Sequence, residues 1–410
     1  MSRSTAIQPK KAKDSNGHLP KAKKTGTSPR EGKPWPPNAF MKFIIENQIR
    51  LPLVFTSFLL LIRLAGFTVA DKFFFLSYFD AQTGLYSKGV DDAYFALFWV
   101  AAFTFLRAAV MRFVLDPLGR RMGINKARNL TRFAEQGWTF IYYASFWSLG
   151  MYIMYHSPYW LDMRHFWIDY PHERFTPIFK SYYLVQLAFW IQQICVLHME
   201  KPRKDHNAML MHHLVTCTLI IGSYIINFTR IGNAVLCVMD FADILLPLAK
   251  ILKYLKLQAI CDFFFAMFVI AWVVTRHIFF PMIIYNTAVD SVKYIEPLWM
   301  PSEGRFFTQN TVYFFLTLFA ILQLLLLFWF FLICRVVYSV VRGNAAHDNR
   351  SDSEGEEEEE ATSKSTQKIG SNGLHANGHA NGKLDVNGTL TGNGRMNGNG
   401  KINGKTKRRI

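Results

Sequence analysis

AMLMHHLVTCTLIIGSYIINFTRIGNAVLCVMDFADILLPLAKILKY, residues 208–254, reads as two apolar helical runs, 208–227 and 231–254, separated only by 228–230. Each run has about the 20 residues an α-helix needs to cross the hydrocarbon layer, and so short a connection makes the two antiparallel neighbours. Four ionisable side chains sit inside them: His212 and His213 in the first, Asp240 and Asp243 in the second. An aspartate at the centre of a spanning helix costs about 2.5–3.5 kcal/mol on insertion scales, so two of them need partners. Counting about 1.5 Å per residue from Lys204, the histidines lie roughly 12–14 Å below the basic boundary. Counting back from Lys250 on the neighbouring helix, Asp243 lies roughly 10 Å and Asp240 roughly 15 Å below it. The two pairs share a level, and the aspartates, three apart, share a helix face. Adjacent histidines point about 100° apart, so only one of them can face an aspartate squarely.

The same apolar pattern extends both ways. Of the 410 residues, 51% are hydrophobic and 16% aromatic, concentrated between two polar tails. Runs near 51–70, 93–115, 136–156, 178–199, 258–284 and 311–338 join the two above, giving an all-α polytopic membrane protein of about eight transmembrane helices. Several runs carry internal charges, including Arg63, Arg107 and Arg276. Lys and Arg cluster in alternate connections: at Arg120 to Arg132, at Lys201, Arg203 and Lys204, at Lys250, Lys253 and Lys256, and at Arg335 and Arg342. With the basic N-terminal tail, this alternation places both termini in the cytosol. The opposite connections, 71–92, 157–177 and 285–310, are mixed or acidic and carry interfacial aromatics such as Trp160 and Trp299. The net charge of +17 lies in tails and loops, which accounts for it through membrane orientation and excludes a folded nucleic-acid-binding face.

Residues 1–49 mix Lys and Arg with Pro, Ser and Gly and are expected to be disordered. No short apolar run with a cleavage site follows Met1, so no cleaved signal peptide is expected. Residues 341–410 hold an acidic run at Glu356 to Glu360 and then recurring Asn-Gly pairs, a low-complexity tail. Ser351 and Ser353 beside the acidic run resemble acidic-directed phosphorylation sites, and Lys407 to Ile410 resembles a dibasic signal for the endoplasmic reticulum. All five cysteines fall in apolar runs, with neither disulfide nor zinc spacing.

A His–Asp pair in a dry cavity supplies a base whose orientation and positive charge a carboxylate supports, which suits acyl transfer. The same cluster could instead only pin two helices together. A metal site is the third reading, but the other histidines are scattered, without HxxxH or HxxHH spacing, and no metal is expected. The turn with Arg203 and Lys204 just outside the helix mouth suits phosphates at the cytosolic surface and also suits topology alone.

The run Arg203 and Asp205, His212 to Thr216, Gly222 to Tyr224, Thr229 to Gly232, Asp240 to Asp243, Lys250 and Tyr254 resembles the signature of the longevity-assurance ceramide synthases of the TLC superfamily. Thr275, Arg276 and Pro281 also look like that family, and the extra pair of spans at 51–115 resembles its fungal and yeast-type members. Ala242 departs from it where relatives often carry serine, which leaves the carboxylates intact. The resemblance implies a six-helix catalytic bundle around a tunnel at 130–340; with the composition this divides the chain into a disordered tail at 1–49, two helices and a basic loop at 50–129, the bundle, and the tail at 341–410. It implies His212, His213, Asp240 and Asp243 as catalytic, with Arg276 as a candidate oxyanion donor. Lys250, Tyr224, Arg203 and Lys204 join Arg276 as candidate substrate-binding residues. It implies transfer from a long- or very-long-chain acyl-CoA, as co-substrate and without further cofactor, to dihydrosphingosine or phytosphingosine in the endoplasmic reticulum membrane. Chain length is associated with the connection around 285–310. A homodimer or paralogue heterodimer and a small single-span accessory subunit are the partners it allows. The competing class is a non-enzymatic TLC relative in lipid sensing or trafficking, which would be expected to lack one of the four groups.

Overall fold

The computed structural model describes residues 38–200 and 202–342. Ten helices carry the fold. They are α1 (Ala39–Glu46), α2 (Arg50–Leu64), α3 (Asp92–Val110), α4 (Ala127–Tyr155), α5 (Pro177–Met199), α6 (His206–Ile225), α7 (Thr229–Tyr254), α8 (Gln258–Val273), α9 (Phe280–Val289) and α10 (Gln309–Val341). The π-helical turn Val274–Phe279 fuses α8 and α9 into one long rod, and a second, Met111–Leu115, extends α3. Local sequence explains several starts. Thr176 caps α5, accepting from the Phe179 N–H, and Pro177 opens the first turn, where its missing N–H costs nothing. Thr308 likewise caps α10 through the Thr311 N–H at 3.2 Å.

The packing runs round a closed circuit: α4 lies along α7, α7 along α8, α9 against α10, α10 against α6, α6 against α5, and α5 back against α4. Most polar side chains of the inner cavity come from these helices; α3 packs outside on α5, yet contributes Arg107 to the cavity, and α2 packs on α3. Helices stand at all eight apolar runs read from the sequence. Among the described residues, four stretches are long and apolar enough to cross a membrane by themselves: Asp92–Arg121, His206–Ile225, Gln258–Tyr294 and Gln309–Val341. The pair α1 and α2, bent by 70°, would count as one more if taken together. Three of the eight, α4, α5 and α7, fall below that measure. They carry inward polar residues such as Glu135, Lys180, Gln186, Asn233 and Asp240.

The tail expected to be structureless to residue 49 is helical over Ala39–Glu46. Asn38 caps that helix by accepting from the Met41 N–H at 2.8 Å, and Phe40, Met41, Phe43, Ile44 and Ile45 form an apolar cluster. Averaging composition over the whole tail had diluted this short cluster. Ser351, Ser353 and the terminal basic motif lie outside the described residues. All five cysteines are free thiols.

The end of the bundle away from the basic connections is closed by polar contacts. Lys180, at the start of α5 and fully buried, pairs with Asp92 at 2.7 Å and donates to the carbonyls of Ser77 and Ser87 at 2.9 and 2.7 Å. Asp92 also accepts from the Tyr224 hydroxyl at 2.8 Å and the Gly89 N–H at 3.0 Å. Lys88 caps the C-terminus of α6, donating to the carbonyls of Tyr224 and Ile225 and to Asn227 Oδ1, where a cation complements the helix dipole. Burial pushes the Lys88 ammonium down to about 8. Asn227 in turn donates to the Gly304 carbonyl at 2.8 Å, tying α6 to the connection before α10.

Candidate functional site

One cavity of about 310 Å³ runs inside the circuit of helices. Arg107, Glu135, Glu200, Arg203 and Lys250 line one end, and His212, His213, Asp240, Asp243 and Arg276 line the middle. Tyr183, Ser223, Ile231, Gly232 and Phe315 line the other end. The four groups singled out by depth counting therefore meet in one chamber. His213 is 5% exposed, Asp240 1% and Arg276 2%, so none of these three faces the surrounding lipid.

The expected His–Asp hydrogen bond does not describe Asp240. Its Oδ2 accepts from Gln186 Nε2 at 3.2 Å, and Gln186 is held by Tyr142 and by the Tyr182 hydroxyl. Asp243 pairs with Arg276 Nη2 at 3.0 Å, and the same nitrogen donates to the Met239 carbonyl at 2.8 Å. The Arg276 guanidinium also lies 4.2 Å over the Trp272 ring. The imidazoles of His212 and His213 sit 5.6 Å apart, with Trp190 5.4–5.5 Å from each and Trp329 5.4 Å from His212.

Several buried polar atoms along this wall have no hydrogen-bond partner among the described residues: His212 Nδ1, His213 Nδ1, Thr216 Oγ1, Asp240 Oδ1 and Arg276 Nε. A buried polar atom left unpaired costs about 1–3 kcal/mol, so five of them round one chamber mark it as a place where a ligand or water would be bound. Arg276 reaches its place through the π turn Val274–Phe279, whose extra residue shifts side chains off the regular α-helical face.

Arg203 stands at the charged end, as expected, and donates to Glu200 at 3.0 Å. Glu200 also takes Arg107 at 2.7 Å. Lys204 and Tyr224, candidate substrate-binding residues in the sequence, are not among the residues that line the cavity. Tyr224 is turned to the far side of Tyr183 and spends its hydroxyl on Asp92. Lys204, at the start of the connection into α6, is exposed. The connection 285–310 does not line the cavity either. Its hairpin, Leu298–Met300 paired with Arg305–Phe307, reaches the wall through Phe307, which packs on Phe228, and Phe228 packs on Phe315.

Sequence reading missed Gln186, Trp190, Trp272 and Trp329. Gln186 had a signal, a polar residue in the middle of an apolar run. The tryptophans had none, since aromatic side chains occur throughout these helices.

Behind Tyr183, at the far end of the cavity, lies a stack of rings. Phe175, Phe179, Tyr183 and Tyr224 lie near parallel with centroids 5.8–5.9 Å apart, and the Tyr183 hydroxyl meets Ser223 Oγ at 2.5 Å. Gly232 is required beneath it, because a Cβ there would sit 1.9 Å from that hydroxyl. Gly232→Ala should cost about 1–3 kcal/mol through overpacking, and Tyr183→Phe in the same chain should recover most of the loss. Thermal unfolding of the two single variants and the double variant checks this; equal losses in the single and double variants would refute it.

The pattern of the TLC-domain family matches residues 132–335, which take in at least part of every helix of the circuit. Sphingosine N-acyltransferase lag1 of Schizosaccharomyces pombe is 42% identical over 315 residues, covering 77% of this chain and 80% of that protein. Ceramide Synthase FUM18 of Gibberella moniliformis is 38% identical over 315 residues, 70% of this chain and 74% of that one. Ceramide synthase LAG1 of Saccharomyces cerevisiae is 35% identical over 291 residues, 70% of each. With the domain match and identities of this size over most of its length, the chain belongs to the TLC-domain family of sphingosine N-acyltransferases, the ceramide synthases.

Proposed function

We propose that this chain is a multi-pass ceramide synthase that joins the acyl group of an acyl-CoA to the primary amine of a sphingoid base inside the cavity. The observation that carries the reading is the succession along one chamber: charged groups at one end, unpaired imidazole, carboxylate and guanidinium atoms in the middle, and an apolar well beyond. That order matches an acyl-CoA, with phosphates outside, thioester at the level of the histidines and alkyl chain below.

In the direct route the amine lone pair attacks the thioester carbon, forming C–N and a tetrahedral oxyanion. Collapse breaks C–S, and a histidine carries the ammonium proton to the departing thiolate. In the stepwise route an imidazole nitrogen first displaces the CoA thiol, and the amine then takes the acyl group from the acyl-imidazole. Arg276 suits the oxyanion in either route, because Asp243 and the Met239 carbonyl fix its head while Nε–H is left over. The stepwise route predicts a mass increase of one acyl chain on a peptide containing His212 and His213 when the protein meets acyl-CoA alone. Single-turnover product without that adduct would select the direct route. The function itself is tested by giving the purified chain a sphingoid base and a ladder of acyl-CoAs; no ceramide from any pair would overturn it.

The Tyr183 floor supports a reading of chain length. His213 and Ser223 are separated by roughly 15 Å of helix, and Tyr183 lines the cavity at the Ser223 level, held by its hydroxyl contact to Ser223 and backed by Phe179. Tyr183→Ala should move the preferred acyl chain to greater length, and Val235→Phe, which fills the well above the floor, should shorten it. Product profiles from the same ladder read both shifts, and an unchanged profile in each would remove Tyr183 from this role.

The alternation of basic connections supports eight spans with both termini cytosolic and a catalytic bundle over 130–340, and a home in the endoplasmic reticulum membrane fits the acyl-CoA supply. A dimer and a small single-span subunit remain the partners we would seek. A non-enzymatic lipid-sensing role is disfavoured by the four groups converging on one chamber.

A further inference from the structure

A second pocket opens beside the charged end of the cavity. It encloses about 740 Å³ between the α1–α2 bend and the end of α3. Arg50, Arg107 and Arg112 line it, with Asn47, Gln48 and Asp116. Ile45, Ile49, Met111 and Phe113 supply apolar wall, and Glu46 also borders it, turned to Lys42 at 3.8 Å. Arg107 belongs to both chambers: Nη2 donates to Glu200 at the cavity mouth at 2.7 Å, and Nη1 faces Gln48 Oε1 at 3.4 Å. Arg50 and Arg112 have no carboxylate partner among the described residues. Arg112 is offered by the π turn Met111–Leu115.

These elements lie outside the matched domain of residues 132–335, so the pocket is an addition to the catalytic bundle. Its chemistry is mixed. Two guanidinium groups without a carboxylate partner among the described residues, Arg112 also lying 5.8 Å over the Phe113 ring, suit phosphate oxygens, which they can hold with bidentate hydrogen bonds. The Asn47 and Gln48 amides and the Asp116 carboxylate suit the edges of a base and the hydroxyls of a ribose, and the aliphatic and aromatic wall suits a purine face. A bare phosphate or a lipid head group would use the arginines and leave the rest idle. We propose that the pocket receives the 3′-phosphorylated adenosine end of the acyl-CoA, with Arg50 and Arg112 pairing its phosphates. The pantetheine arm then passes Arg107 and Arg203 and descends the roughly 12 Å of helix between Lys204 and His212. The inference rests on the acyl-CoA reading of the main cavity and explains what α1 and α2 add to it.

The test uses the full chain in phosphatidylcholine nanodiscs, with and without phosphatidylserine. The wild type should show a KM about tenfold lower for acyl-CoA than for the same thioester lacking its 3′-phosphate, the size of one charge-assisted contact. Arg50→Ala and Arg112→Ala should each raise the KM for acyl-CoA and shrink that preference, with the KM for the sphingoid base unmoved as internal reference. Adenosine 3′,5′-bisphosphate should raise the melting temperature of the wild type and not of the double variant, a readout independent of turnover. If the wild type makes no ceramide from either thioester, the functional reading fails; bisphosphate binding then still reports on the pocket. Variants that keep the full preference for the 3′-phosphate overturn the proposal. So does a wild type indifferent to that phosphate whose KM depends instead on phosphatidylserine, which would assign the pocket to a lipid head group.

Discussion

His213→Ala is expected to lower ceramide formation by about 10²- to 10⁴-fold, the range lost when a positioned acid or base is removed. Asp240→Asn should cost a comparable amount. The physical case lies in the unpaired atoms. His213 Nδ1 and Asp240 Oδ1 are buried without hydrogen-bond partners among the described residues, so their removal breaks no internal contact of those atoms. The His213 variant should accordingly unfold at or slightly above the wild-type temperature, since an unpaired buried polar group destabilises a fold. Steady-state assays of product beside thermal unfolding of the same preparations separate the readings. A drop in activity that tracks a drop in stability would make these residues helix pins and not participants in the reaction.

The second large effect is on stability. Lys180→Met should destabilise the fold by about 3–5 kcal/mol, because it strands the Asp92 carboxylate in a site from which water is excluded. Asp92→Leu should do likewise by stranding the ammonium. Combining the two removes both charges and should return much of the loss, since a buried ion pair contributes little beyond an apolar pair of similar volume. The Tyr224 hydroxyl, which donates to Asp92, limits that recovery, and Tyr224→Phe in the double background should improve it. Unfolding curves in one detergent give the cycle. Single variants as stable as the wild type would show that water reaches this pair.

Much of this was legible in the sequence. Helices stand at all eight apolar runs, and four of them, among the described residues, are long and apolar enough to cross a membrane by themselves. Helical rise placed His212, His213, Asp240 and Asp243 at one level because the 228–230 connection leaves little freedom between the two helices. What the pattern could not supply were partners remote in sequence. Lys180 and Asp92 lie far apart in sequence at the ends of different helices, and only the packing of α5 on α3 brings them together. Gln186 stood out as polar but gave no hint that it holds Asp240. Arg276 was visible as a charge in an apolar run, yet its aim depends on a π turn that no periodicity announces. Tyr224 was read into the substrate site on the strength of the signature, while a neighbouring ring, Tyr183, occupies the cavity wall.

Tyr183, backed by the stacked rings behind it, stands across the far end of the chamber from the charged groups, and under the proposed function this would make the chamber a blind alley. A fatty tail must go in leading with its methyl end, and nothing can pass behind it once seated. If the acyl chain is seated there as proposed, the base would approach over the loaded thioester, after the acyl donor. The two-tailed product would then leave past the departing CoA or sideways between helices, which would tie product release to how tightly those helices are joined.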